Sequence, residues 1–170
     1  TDHGAAITRD GGDTFAWVKS LRSFHPMSCG PGDWDAAPGS KRILTSVGGW
    51  SKRQLVLSQD VGATWQVVRA EKAGYHCPMF HPQDPKVLYV SADKTGLRSD
   101  DGGQTWHPIA HAPRAICRGD GDILFAWRSL GRKEGGYPES EILKSTDRGA
   151  TWRALPGRIL GTPRALACDP

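Results

Sequence analysis

The sequence predicts an all-β protein made of repeated four-stranded antiparallel sheets, and three observations carry that expectation. One octet recurs in near-copy four times in 170 residues: "TRDGGDTF" at 8–15, "SQDVGATW" at 58–65, "SDDGGQTW" at 99–106 and "STDRGATW" at 145–152. Its aspartates, Asp10, Asp60, Asp101 and Asp147, stand 50, 41 and 46 positions apart. A unit of roughly 40–50 residues is the size of one four-stranded propeller blade. Finally, each octet is flanked by short segments rich in β-branched and aromatic residues and bounded by turn formers.

The flanks define the strands around each octet. "GAAIT" 4–8, "QLVLS" 54–58, "GLRS" 96–99 and "EILKS" 141–145 precede it, and "TFAWV" 14–18, "TWQVV" 64–68, "TWHPI" 105–109 and "TWRAL" 151–155 follow it. The octet is therefore expected to be the hairpin between the third and fourth strands of a blade. Its aspartate accepts from backbone N–H groups a few residues on, and the leading Ser or Thr adds a second side-chain bond to the backbone. Gly62, Gly103 and Gly149 supply a position where φ > 0 costs nothing. Phe15, Trp65, Trp106 and Trp152 are expected to fold back as aromatic anchors between strand layers. A calcium loop needs several carboxylates at alternating positions and a distal Glu, whereas these octets share one Asp, so no metal is expected.

The octets then serve as rulers. Innermost strands are expected at "FHPMSC" 24–29, "YHCPMF" 75–80, "PRAIC" 113–117 and "PRALAC" 163–168, and second strands at "RILTSV" 42–47, "KVLYVS" 86–91 and "DILFAW" 122–127. The expected division is the last two strands of one blade at 1–21, full blades at 22–70, 71–111 and 112–160, and the first strand of another at 161–170. Such a set is part of a ring, to be completed by the remainder of the propeller or by a second copy. Thr1 stands first without a Met, as expected of a mature product or a piece of a longer chain.

Composition narrows the classes. Hydrophobic residues at 38% and charged residues at 24% are those of a folded soluble domain, and 21 Gly with 12 Pro suit many tight connections. No apolar run approaches the roughly 18 residues of a membrane span. The net charge of +4 admits an anionic ligand, but Lys and Arg are scattered and no nucleic-acid motif is present.

The pattern S/T-x-D-x-G-x-T-W at this spacing resembles the Asp-box, or bacterial neuraminidase repeat, of β-propellers. Those include sialidases, xyloglucanase-type glycoside hydrolases, sortilin-type receptors and photosystem II assembly factors. The resemblance covers nearly the whole chain and implies a stabilising turn remote from the ligand face. It also implies two readings of function. One is a glycoside-hydrolase-like propeller binding a glycan at the channel mouth, outside the cell or in its envelope. The other is a non-catalytic propeller binding a protein or peptide, or a structural module of a larger secreted protein. No cofactor is expected under either.

Candidate site residues fall on the face opposite the octets. His25, His76, Arg114 and Arg164 occupy matching positions of the inner strands, and a ring of imidazole and guanidinium groups favours an acidic ligand. The F/Y-R-I-P segment of sialidases is absent. The segments "GGWSKR" 48–53 and "RSLGRKEGGYPESE" 128–141, the latter expected as a long loop, offer Trp50 and Tyr137 as sugar-stacking surfaces. Arg53, Arg128 and Glu134 lie beside them. Glycoside hydrolysis usually needs two carboxyl groups roughly 5–10 Å apart, and no complete pair is legible, so catalytic residues are not assigned. Trp34 is expected to cap blade edges on the octet side. Cys29, Cys117 and Cys168 are expected at equivalent inner-strand ends, with Cys77 three positions before its counterpart Phe80. No C-x-x-C pair supports a zinc site.

Overall fold

In a computed structural model the described residues are 6–24, 34–37, 39–49, 52–70, 74–92, 95–110, 114–132, 136–163 and 166. They form four antiparallel sheets in chain order. The first holds β1 (Ala6–Ile7) and β2 (Ala16–Trp17), followed by a 3₁₀ turn at Lys19–Ser23. In the second, β3 (Trp34–Ala36), β4 (Ile43–Gly49), β5 (Lys52–Ser58) and β6 (Gln66–Arg69) pair in sequence order. In the third, β7 (Tyr75–Phe80), β8 (Leu88–Ala92), β9 (Thr95–Ser99) and β10 (His107–Pro108) do the same. The fourth runs β11 (Arg114–Arg118), β12 (Leu124–Arg132), β13 (Pro138–Ser145) and β14 (Arg153–Ala154), and β15 (Ile159–Leu160) also pairs with β13.

The core lies between sheets. Leu44, Leu55 and Leu57 of the second sheet pack on Tyr75, Phe80, Leu88 and Val90 of the third. Met79, Val87 and Tyr89 of the third pack in turn on Ile116, Leu124, Leu143 and Trp152 of the fourth. A smaller cluster joins Leu21 to Val47 and Val56. Because second strands are covered on both faces, β8 is buried along its whole length and shows no alternation of apolar and polar residues. Each fully buried Leu or Phe contributes roughly 1.5–3 kcal/mol, so inter-sheet packing is the main source of order.

All four octets close in the same way. The Asp60 carboxylate accepts from the Thr64 N–H at 2.8 Å and from the Thr64 hydroxyl at 2.5 Å. The Ser58 hydroxyl donates to Asp60 at 2.8 Å and accepts the Gly62 N–H at 2.8 Å. Asp101 and Asp147 repeat this with Thr105 and Ser99, and with Thr151 and Ser145. Bonds from Thr64 and Ser58 hold the Asp60 carboxyl down to about 2. Those from Thr14 and from Thr105 hold Asp10 and Asp101 lower still. At Asp147 burial acts upward, but the bonds from Thr151 and Ser145 outweigh it.

The turn needs two consecutive residues at positive φ, as a type I′ hairpin does. Val61 and Gly62 sit at 56° and 81°, and Arg148 and Gly149 at 58° and 80°. Gly62, Gly103 and Gly149 hold positive φ as expected, and beside Gly62 the β-branched Val61 also holds the left-handed region.

Other expectations are corrected as well. The strand pairing with β4 is Trp34–Ala36, with Ala36 opposite Ile43. The expected inner strand 24–29 ends before it, and 25–29 lies outside the described residues. Trp34 accordingly sits in an inner strand, edge-on to Trp65 with ring centroids 6.0 Å apart. Phe15 is 68% exposed and anchors nothing. Trp65 bonds Ser20 of the 3₁₀ turn that follows the first sheet, and Trp152 packs with Met79 and Tyr89 of the sheet before it. The expected loop 128–141 is largely an extended hairpin, because β12 runs to Arg132 and β13 starts at Pro138.

Candidate functional site

The inner strands β7 and β11 carry the same irregularity. Register shifts between His76 and Met79 in one, and between Arg114 and Cys117 in the other. This bulge puts His76 and Arg114 at equivalent positions and matches Cys117 to Met79, not to Phe80 as the sequence suggested. Cys77 lies at the bulge with φ 49°, and both it and Cys117 are of intermediate exposure. Cys29 and Cys168 are outside the described residues. The His76 side chain is exposed, and that of Arg114 lies outside the described residues. His25 and Arg164 of that ring, with Trp50 and Glu134, lie outside the described residues.

Arg53 does not face a ligand. It is 8% exposed, and its Nη1 donates to Ser46 Oγ at 3.1 Å and to the Tyr75 carbonyl at 3.3 Å. Its guanidinium ties the second sheet to β7. Arg128 stands opposite Glu141 in register and bonds its carboxylate at 2.5 Å, a pair that holds the base of the extended hairpin.

Beyond that base the hairpin projects past the rest of the sheet. Strand β15 adds to it, with Leu160 opposite Glu139 and Ile159 opposite Ser140. Arg158 bonds Glu139 at 2.6 Å, and the Ser140 hydroxyl donates to the Gly161 carbonyl at 2.8 Å. Tyr137 at the hairpin's outer end is 75% exposed, as is Leu160. Tyr137 thus presents an exposed aromatic ring two residues from Glu139 in the chain. The hairpin sits on the side of the sheet away from the octet turns, since it joins the second strand to the third.

Comparison with known proteins agrees with this architecture. Residues 97–108 match the BNR/Asp-box repeat family. A xyloglucanase of Paenibacillus sp. is 27% identical over 201 residues, covering 89% of this chain and 20% of that protein. Among solved structures, the GH74 xyloglucanase from Xanthomonas campestris superposes with a TM-score of 0.54 at 18% identity, over 73% of this chain and 22% of the other. The GH74 enzyme of Niastella koreensis gives 0.53 at 16%, over 87% and 28%. The chain folds as part of an Asp-box β-propeller. It spans about a fifth to just over a quarter of the length of these relatives.

In this propeller the octet turns also border clefts. One of 810 Å³ opens between two blades and is lined by Gln59, Gln66, Lys86 and Gln104 together with Arg42 and Asp101. It lies on the octet side, and its Asp101 carboxylate is already engaged by Thr105 and Ser99 of the turn. Three features had no signal in the sequence: strand β15, the carboxylate of Asp35 bound by Arg118, and the buried imidazole of His81. Each depends on residues distant in the chain.

Proposed function

We propose that this chain is part of a glycoside-hydrolase-like propeller that binds a glycan across the face opposite its Asp-box turns. The observation that carries the reading is Tyr137, exposed at the end of a hairpin that β15 and the Arg158–Glu139 pair stiffen. A rigid aromatic ring binds sugar at low entropic cost, because little conformational freedom is lost on contact. The similarity to a xyloglucanase over 89% of the chain points to a β-glucan backbone as the first ligand to try. His76, exposed on β7, supplies a further polar group for hydroxyl or acidic groups. The catalytic acids are not assigned to this stretch. An extracellular or cell-envelope location accords with such a ligand, and no described helix is long and apolar enough to cross a membrane.

The test is affinity electrophoresis of the chain in gels containing soluble xyloglucan, with mixed-linkage glucan and an acidic polysaccharide in parallel. Retardation by one of them that Tyr137→Ala weakens several-fold supports the reading. Unretarded migration in all three gels, with no hydrolysis of any by the full-length protein, overturns it. A second reading, binding of a protein or peptide, draws on Leu160 and Ile159, which leave apolar surface on the same hairpin. Retention on glycan that Leu160→Ser leaves unchanged separates the two.

A further inference from the structure

Where the third and fourth sheets meet, one polar cluster is closed around a buried imidazole. His81 follows β7 directly and its side chain is fully buried. Its Nδ1 accepts the Gln83 N–H at 3.3 Å, which leaves the neutral ring's proton on Nε2. That Nε2 faces the next sheet, 3.4 Å from Asp122 Oδ1, yet makes no hydrogen bond among the described residues. The same Asp122 oxygen receives Arg148 Nε at 2.9 Å.

Arg148 belongs to the octet turn of the fourth sheet and is tied back to the third. Its carbonyl accepts the Tyr89 hydroxyl and Arg98 Nη1, both at 2.8 Å. The charged and titratable groups facing His81 are therefore Asp122 and Arg148 of the fourth sheet, Asp84 of its own turn, Arg98 of β9 and Tyr89 of β8. Burial pushes the Tyr89 phenol up, so it stays neutral. Burial first, and the Arg148 cation next, push the His81 imidazole below its ordinary value, and Asp122 and Asp84 do not offset them.

We propose that His81 is a proton-operated latch between these two sheets: the neutral ring closes the joint and the protonated ring opens it. Protonation turns Nδ1 from acceptor into donor, so it meets the Gln83 N–H donor to donor and that bond is lost. A charged imidazolium is also unfavourable in a buried site beside the Arg148 cation, and the Asp122 carboxylate at 3.4 Å, shared with Arg148 Nε, offsets only part of that penalty. That penalty falls on the joint itself, since His81 belongs to the third sheet and the Asp122 and Arg148 groups it faces belong to the fourth. A histidine of lowered proton affinity binds fewer protons folded than unfolded in this range. Its stabilisation is therefore complete above about 6.5 and is lost as pH falls below that. The inference goes beyond glycan binding and does not depend on it.

The experiment is thermal unfolding of the whole chain from pH 8 to pH 5, with the imidazole resonances followed over the same range. The wild type is expected to lose several degrees of Tm below pH 6.5, and His81→Gln is expected to flatten that loss. Arg148→Gly keeps the positive φ, removes the neighbouring cation and is expected to move the His81 titration to higher pH. An unchanged Tm slope in His81→Gln overturns the latch, as does a wild-type His81 resonance that titrates at or above 6.5. Should His81→Gln not fold, the resonance in the wild type and in Arg148→Gly decides by itself.

Discussion

Asp35 and Arg118, 83 positions apart, meet at the ends of two inner strands with a third strand between them. The Asp35 carboxylate accepts Arg118 Nη2 and also the backbone N–H of Phe80 at 2.7 Å, while Arg118 Nε donates to the Phe80 carbonyl at 3.3 Å. Three consecutive blades are thus joined at one point beside the channel. Charge-assisted bonds of this kind contribute about 1.5–3 kcal/mol when partly buried. Arg118→Met should therefore lower stability by about 2 kcal/mol in urea unfolding. Asp35→Asn, which retains an acceptor for Phe80, should cost less, and the double mutant should reveal coupling between the two sites.

Acid should weaken the octet turns in a defined window. A carboxylate whose folded pKa is depressed stabilises the fold above its unfolded value and loses that stabilisation as pH falls through the folded one. For Asp60 the window runs from 3.8 down to about 2. Tm measured at successive pH values should fall through this range. Asp60→Asn should unfold at lower temperature than the wild type at pH 6 and show a smaller further loss on acidification.

Equivalent turn glycines should differ in tolerance. Gly12 and Gly103 hold the same octet position, at φ 110° and 97°. A Cβ on Gly12 meets nothing within 4 Å, whereas one on Gly103 meets Val68 at 3.2 Å and Leu88 at 3.3 Å. Gly12→Ala should cost only backbone strain, about 1–2 kcal/mol. Gly103→Ala should add about 1–3 kcal/mol of overpacking to that strain. Chemical denaturation of the two variants measures the difference.

The octet aromatics should separate in the same way. Trp152 is buried with Met79, Tyr89 and Leu143, and its Nε1 bonds the Gly149 carbonyl at 3.0 Å. Trp152→Ala should cost about 3–5 kcal/mol. Phe15→Ala should stay within about 0.5 kcal/mol, since an exposed ring leaves no cavity. Equal losses at the two sites would contradict the inter-sheet packing described above.

The strands flanking the octets and the turns themselves were legible because their causes are local. Ser58, Asp60, Gly62 and Thr64 bond one another within seven residues, so residue type and spacing carry the whole geometry. The 41–50-residue period then implied the blade, since a stacked unit repeats its turn at each copy. Legibility ended where a residue's role depends on its neighbour in another blade. Phe15 and Trp152 occupy the same octet position, yet only Trp152 has a sheet to pack against. Arg53 was expected at the ligand face but is drawn inward by Ser46 and the Tyr75 carbonyl.

By itself, then, the sequence determined an all-β chain of antiparallel sheets and the position of its four clamped turns. Tertiary structure alone decided that Trp34–Ala36 is an inner strand, that β15 stiffens the Tyr137 hairpin, and that His81 is sealed between blades. The physical reason is distance along the chain. Local hydrogen bonds are written into spacing, whereas strand register, burial and inter-blade bonds are chosen by surfaces that meet only after the sheets have formed.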